Sequence, residues 1–285
     1  MNDRSCAGRI APMLQRAIRR TRYQARVAWG RTTWRQRPTP EFLIIGAQRA
    51  GTTSLSQDLA QHAQIAIPLT KEIHYFDQHH TKGLPWYRAH FKTRSERRGR
   101  VTGEATTDYL FHPHAPYWAA EELPETRFIV ILRNPVDRAV SHWSLMSRIG
   151  VDDLSLDDAL DAEERRIGPD RQRLERDPHD PAWDYFRYSY VARGRYVDQL
   201  ERWLGAIDRN RFLILRAEDY HAFPTETFGR ITDFLDLDEW APPTFAAEHG
   251  ATKGPVPDHV RQRLTAHFKP FNERLEALLG TSMGW

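Results

Sequence analysis

A short apolar run followed by a glycine turn and a hydroxyl pair, FLIIGAQRAGTTSL at residues 42–55, limits the fold more than any other feature. The run predicts a buried strand, and the residues after Gly51 predict a helix. This arrangement suits a phosphate or sulfate group, because backbone N–H groups and the helix dipole both favour an anion. Thr52 occupies the lysine position of the ATP-binding pattern G-x-x-x-x-G-K-[ST]. The loop therefore predicts a binding site for an anionic ligand other than ATP.

Further apolar runs alternate with helical patterns along the chain. Strands are predicted at 42–46, around 100–103, at 127–132 and at 211–216, and helices at 53–62, 83–91, 135–148, near 225–235 and at 257–279. Strands that alternate with helices predict a parallel sheet covered on both faces. The predicted fold class is α/β, a P-loop-like parallel sheet flanked by helices in a single domain. Its ligands are expected beyond the carboxyl ends of the strands.

Residues 152–180 are dense in charges of both signs and poor in large apolar side chains. They predict a solvated insertion with one exposed helix, or alternatively a segment that frames an acceptor site. The histidines at 79, 80, 112 and 114 are expected in solvated loops. We expect no metal site there, because no third ligand has a convincing spacing.

The N-terminal arm differs in charge from the rest of the chain. Residues 1–40 hold ten arginines and one acid, a net charge of +9 within the total of +3, so residues 41–285 carry −6. That acidic balance predicts no nucleic-acid partner. Apolar residues at near-helical spacing predict either an interfacial helix with peripheral membrane contact or a disordered arm. Pro38 and Pro40 predict a boundary before a domain at 41–285.

Signals for targeting are few. The chain has neither an apolar run of membrane-spanning length nor a secretory h-region, and its lone cysteine is Cys6. These observations predict a cytoplasmic protein, at the inner membrane face if the arm binds lipid.

The second strand helps to distinguish classes of nucleotide enzyme. It ends in Arg133, where many P-loop NTPases carry an acid that helps to hold Mg²⁺. A guanidinium binds phosphate through paired, charge-assisted hydrogen bonds. Ser141 lies about two turns into the helix that follows this strand. Within the loop, Arg49 is expected to supply the positive charge that the lysine supplies in the ATP-binding pattern. The alternatives are a P-loop kinase or NTPase, and a non-enzymatic membrane-peripheral protein that binds nucleotide or glycan.

Four motifs in order, GAQRAGTTSL, KEIHYFD, GLPWY and ILRNPVDRAVSHW, resemble the sulfotransferases that use 3′-phosphoadenosine 5′-phosphosulfate. The likeness is greatest to domains that modify heparan sulfate at N and 3-O positions. It continues through GRYVDQLERWL, RFLILRAEDY and TKG and covers most of residues 41–285. The resemblance implies sulfuryl transfer, without a metal, to a hydroxyl or less readily an amine of a carbohydrate or glycosylated metabolite.

The resemblance also implies roles for individual residues. The donor's 5′-phosphosulfate would be bound by the loop residues Arg49, Ala50, Gly51, Thr52 and Thr53. Its 3′-phosphate would be bound by Arg133 and Ser141, and Lys253 and Gly254 would close over the nucleotide. Glu72 would take the acceptor proton, with His74 and Asp77 beside it, and Arg49 would stabilise charge on the departing phosphate. Trp86 is a further candidate on the acceptor side.

Three positions depart from the family's pattern. Arg49 and Ala105 stand where lysine is usual, and Pro255 stands where arginine is usual. An arginine fork does not replace a flexible ammonium at a tight site. We therefore expect the donor loop and the acceptor chemistry to differ in detail from those of the family.

Overall fold

The computed structural model describes residues 20–246 and 256–285 of the chain. Within these residues, four strands form one sheet in the order β2-β1-β3-β4, and all three neighbouring pairs are parallel. The strands are β1 Phe42–Gly46, β2 Gly103–Ala105, β3 Arg127–Leu132 and β4 Phe212–Arg216. The predicted α/β class with a parallel sheet is confirmed.

Helices connect the strands and cover the sheet. The first, α1, is helical at 20–32 among the described residues. The others are α2 Thr52–Leu59, α3 Leu84–Arg88, α4 Arg94–Arg97, α5 Ala115–Glu122, α6 Pro135–Arg148, α7 Leu156–Arg176, α8 Trp183–Tyr188, α9 Tyr196–Ala206, α10 Ala217–Ala222, α11 Pro224–Phe234 and α12 Asp258–Leu279.

The central strands form at the residues where the apolar runs predict them. Every residue of β1 is buried, and β3 is buried after its first residue, as strands with helices on both faces require. The strand predicted at 100–103 begins later, at Gly103. Val101 instead pairs with Ile65, so the chain joins the main sheet only two residues further on.

The prediction of a solvated insertion at 152–180 is wrong. Helix α7 buries one face, and its apolar residues Leu160, Ile167 and Leu174 recur every seven residues on that face. Buried carboxylates complete the face: Glu163 accepts hydrogen bonds from the backbone N–H groups of residues 191 and 192. The segment contains few apolar residues because hydrogen-bonded acids occupy part of its buried surface.

Part of the N-terminal arm packs on the domain. Val27 of α1 is buried, and the Tyr23 hydroxyl lies 2.7 Å from His90 Nε2. A Cβ on Gly30 would lie 2.5 Å from the carbonyl oxygen of Ala89, so only glycine permits this approach. Residues 1–19 of the predicted arm lie outside the described residues. Among residues 20–246 and 256–285, no helix is both long and apolar enough to cross a membrane.

Candidate active site

The residues predicted to bind an anion lie in the turn from β1 to α2. Gly51 precedes the helix with a φ of 96°, a left-handed conformation that favours glycine. Arg49 also has a positive φ, 70°. The N-cap residue of α2 is Gly51, which has no side chain, and the backbone N–H groups of a helix's first turn suit a phosphate oxygen. His221 of α10 lies near the loop, with its Nε2 3.8 Å from the position of a Cβ on Gly51.

Three of the predicted donor-binding residues meet at the carboxyl ends of β1 and β3. Arg49 Nε donates a hydrogen bond of 3.0 Å to Ser141 Oγ in α6. A guanidinium nitrogen of Arg133 lies 3.3 Å from the carbonyl oxygen of Arg49 and donates to it. The Arg49 side chain therefore extends toward α6, to the side where the 3′-phosphate is expected.

A cation that the sequence analysis missed lies on the other side of the loop. Lys71 Nζ donates a 2.7 Å hydrogen bond to Thr53 Oγ1 and lies 3.5 Å from Glu72 Oε1. Its ammonium thus stands between the donor loop and the candidate base. The available sequence signal was the position of Lys71 directly before Glu72.

Glu72 lies at the edge of the sheet with a strained backbone. Its N–H donates to the carbonyl oxygen of Ala105, and its φ is 56°. A left-handed conformation at a residue other than glycine costs about 1–3 kcal/mol and concentrates at functional sites. The side chain is 43% exposed, so an acceptor molecule has access to the carboxylate.

His74 and Asp77 form an ion pair next to Glu72. His74 Nδ1 lies 2.6 Å from Asp77 Oδ2, and Asp77 is almost completely buried. Burial disfavours the charge of His74, but the hydrogen bond and the charge of Asp77 outweigh it and raise the pKa of His74 to about 9. Burial also raises the pKa of Asp77, although its bond to His74 opposes that shift. At neutral pH His74 is therefore protonated and held in place.

Asp108 and Arg193 extend this charge network. Ligand atoms of His74, Asp77 and Asp108 lie within 4.8 Å of one another, a spacing that a metal ion also requires. However, the buried guanidinium of Arg193 binds Asp108 at 2.7 Å, and protonated His74 binds Asp77. Protein cations thus already balance both carboxylates, and the expected absence of a metal stays a prediction.

A fully buried acid, Glu104, supports the segment that carries the candidate base. Its carboxylate accepts hydrogen bonds from Thr106, Tyr109 and Tyr87 at 2.7, 2.8 and 3.2 Å. Tyr109 in turn accepts the backbone N–H of Tyr75 at 2.8 Å. Burial raises the pKa of Glu104, opposed by the three hydroxyl donors. Sequence reasoning missed this residue because only the fold brings the hydroxyl groups around it.

Other predicted residues are placed differently. Trp86 is 9% exposed and packs against His90, with ring centroids 4.5 Å apart, so it does not offer a surface to an acceptor. The expectation of solvated loop histidines is wrong for His112, which is fully buried, and His80 stacks on Trp118 with ring centroids 4.0 Å apart. Lys253 and Gly254 lie outside the described residues.

Comparisons with known proteins point the same way as the motifs. The model of the sulfotransferase domain family matches residues 39–244. Heparan sulfate glucosamine 3-O-sulfotransferase 6 of Mus musculus is 29% identical over 276 residues, which cover 88% of this chain and 75% of that protein. Membrane-associated sulfotransferase kil1 of Dictyostelium discoideum is 24% identical over 86% of this chain and 66% of its own length. The crystal structure of a sulfotransferase from Alicyclobacillus acidocaldarius matches with a TM-score of 0.67 and 29% identity, covering 86% of this chain and 98% of that one.

Proposed function

The chain belongs to the sulfotransferase family, and on that premise we propose that it transfers a sulfuryl group from 3′-phosphoadenosine 5′-phosphosulfate to a carbohydrate hydroxyl. Membership of this family confirms the predicted enzyme class and sets aside the kinase, NTPase and non-enzymatic alternatives. The name of the mouse relative refers to O-sulfation of a glycan, which supports a hydroxyl over an amine. A glycosylated metabolite has the same kind of hydroxyl group and belongs to the proposed acceptor class.

One observation carries this proposal: cations and a candidate base from separate elements meet around a single loop. Arg49, Arg133 and Ser141 lie together on one side of the loop, and Lys71 and Glu72 lie on the other. A donor with phosphates at the 3′ and 5′ positions of its ribose requires two anion sites; the first turn of α2 suits one of them, and the side chains of Arg133 and Ser141 suit the other. The residues present therefore fit the donor.

The chemistry assigned to this chain's residues follows from charge. Sulfuryl transfer is an in-line displacement at sulfur, in which an acceptor O–S bond forms while the bond from sulfur to the phosphate oxygen breaks. Glu72 takes the proton of the acceptor hydroxyl, and the loop N–H groups with Lys71 and Arg49 stabilise negative charge on the departing phosphate. Lys71 lies beside the loop and on this proposal does the work of the missing loop lysine, while Arg49 also reaches the 3′-phosphate side.

The remaining assignments stay predictions. They comprise nucleotide contacts by Ala50, Thr52, Lys253 and Gly254, the cytoplasmic location and the absence of a nucleic-acid partner. Membrane contact involves a different surface and is a separate proposal.

The direct test is incubation of the full chain with ³⁵S-labelled donor and a panel of glycans, glycolipids and phenols. We expect label transfer to a sugar-containing acceptor and binding of 3′,5′-adenosine bisphosphate. Glu72→Gln is expected to lower kcat by about 10²–10⁴, the usual contribution of a general base, while affinity for the bisphosphate stays within about twofold. Absence of both transfer and bisphosphate binding would refute the assignment, and transfer to phenols alone would refute the acceptor class.

A further inference from the structure

A surface rich in positive charge lies apart from the candidate active site and combines two distant segments of the chain. Residues 20–40 contain six arginines and no acid, namely Arg20, Arg22, Arg26, Arg31, Arg35 and Arg37. Residues 88–100 contain one acid, Glu96, and six cations, namely Arg88, Lys92, Arg94, Arg97, Arg98 and Arg100. Contacts of α1 with Ala89 and His90 bring the two segments together. We call residues 20–37 and 88–100 the basic face.

The acids near this surface are occupied by structural roles. Glu96 accepts the backbone N–H of Thr93 at 2.7 Å in the capping box of α4. Glu41, which precedes β1, pairs with Arg97. Several of the arginines bond backbone carbonyl groups instead: Arg37 donates to Phe91, for example. The basic face therefore keeps a large net positive charge, and clustered like charges repel one another until an anionic partner neutralises them.

A cavity of about 740 Å³ lies within the basic face. Its charged lining residues are four cations and one acid, namely Arg26, Arg37, Lys92, Arg98 and Glu96, and Trp29 lines it as well, with its side chain 67% exposed. Tryptophan beside arginine is typical of helices at the level of lipid headgroups, where the ring is half in water and half in the apolar phase. The cavity thus combines cations for phosphate groups with an aromatic ring for the acyl boundary.

The position of the basic face leaves the candidate active site accessible. Arg97 pairs with Glu41 at the amino end of β1, whereas the donor loop follows the carboxyl end of the same strand. Five strand residues at about 3.3 Å each place these ends roughly 16 Å apart. A partner that covers residues 94–100 therefore does not have to cover Glu72.

We propose that the basic face binds the surface of an anionic phospholipid bilayer, with lipid phosphates at the cavity and Trp29 at the headgroup level. The charge distribution favours a flat partner. Residues 1–40 carry +9 and residues 88–100 carry +5, so the rest of the chain carries −11. A long polyanion would extend past the basic face along a protein whose remaining residues carry a net negative charge, whereas a bilayer touches one side only.

The test is co-sedimentation of the full chain with vesicles at about 0.15 M salt, where exposed charges act over roughly 8 Å. The vesicles contain phosphatidylcholine alone or with about one third phosphatidylglycerol. We expect binding only to the anionic vesicles. Since each cation near such a surface contributes about a fivefold change in affinity, Lys92→Gln/Arg94→Gln/Arg98→Gln should weaken binding on the order of 100-fold. Trp29→Ser should weaken the part of the binding that persists at high salt.

A matched control removes three exposed cations elsewhere, in Arg176→Gln/Arg230→Gln/Lys269→Gln. This variant should bind anionic vesicles as the native chain does, and circular dichroism checks that both triple variants are folded. Equal weakening by both sets would show that only total charge matters and would overturn the proposal. So would a native chain that ignores vesicles but binds heparin or duplex DNA through Lys92, Arg94 and Arg98, because the surface would then be a polyanion site. Neither readout depends on sulfuryl transfer, so this proposal and the proposed function can fail separately.

Discussion

Replacing Lys71 by methionine separates a structural role of its ammonium from a catalytic one. The ammonium lies 2.7 Å from Thr53 Oγ1 and 3.5 Å from Glu72 Oε1, and the two charged side chains are 30% and 43% exposed. Ion pairs with this exposure contribute about 0.2–1 kcal/mol to stability. For a domain of this size, that corresponds to a change in Tm of only about 2–4 °C at most.

The expected effect on turnover is much larger. Negative charge develops on the leaving phosphate oxygen, and loss of one pre-positioned donor to such an oxygen costs about 10²–10³ in kcat. Lys71→Met should therefore lower kcat about 100-fold or more with nearly unchanged Tm. The assay is transfer of ³⁵S from labelled donor at saturating acceptor, with Tm from thermal unfolding monitored by circular dichroism.

Two further variants sharpen the test. Lys71→Arg keeps the charge and should recover part of the lost rate, whereas Thr53→Val removes the hydrogen-bond partner but leaves the ammonium in place. A kcat for Lys71→Met within about threefold of native would refute the reasoning, because the ammonium would then be only a surface partner of Glu72. A large drop in Tm together with kcat would refute it as well.

Further predictions concern the other side chains of the site. Arg133→Ala should weaken binding of 3′,5′-adenosine bisphosphate by roughly 10- to 100-fold, as expected for charged hydrogen bonds of about 1.5–3 kcal/mol, with little effect on 5′-AMP; equal losses in calorimetry would contradict a 3′-phosphate role. Because the pKa of His74 is raised to about 9 in the folded state, its stabilising contribution is complete below its ordinary pKa of 6.5 and is lost as pH rises through 9. The Tm difference between native and His74→Gln should therefore shrink from pH 6.5 to 9, and a constant difference would argue against the ion pair with Asp77. Glu104→Ala should destabilise the fold by about 1–3 kcal/mol or more, since it leaves three buried hydroxyl groups without their acceptor, and urea unfolding measures this loss.

Local sequence pattern was sufficient for the framework of this protein. The strands β1 and β3 occupy the residues where apolar runs predict them, and α6 occupies the predicted residues 135–148, beginning at a proline whose fixed φ suits the first position of a helix. Parallel strands place their carboxyl ends at one edge, and there Arg133, which follows β3, donates a hydrogen bond to the carbonyl oxygen of Arg49, which follows β1.

Only the tertiary structure decided which side chains complete the site and which are buried. Lys71 meets Thr53 across 18 residues, Arg49 meets Ser141 across 92, and Arg193 meets Asp108 across 85. Such contacts depend on the register of the sheet and on the path of the connecting loops, and no local periodicity records either. The burial of Trp86 and of one face of α7 has the same origin, since neighbouring elements, and not the segment's own composition, determine what is covered.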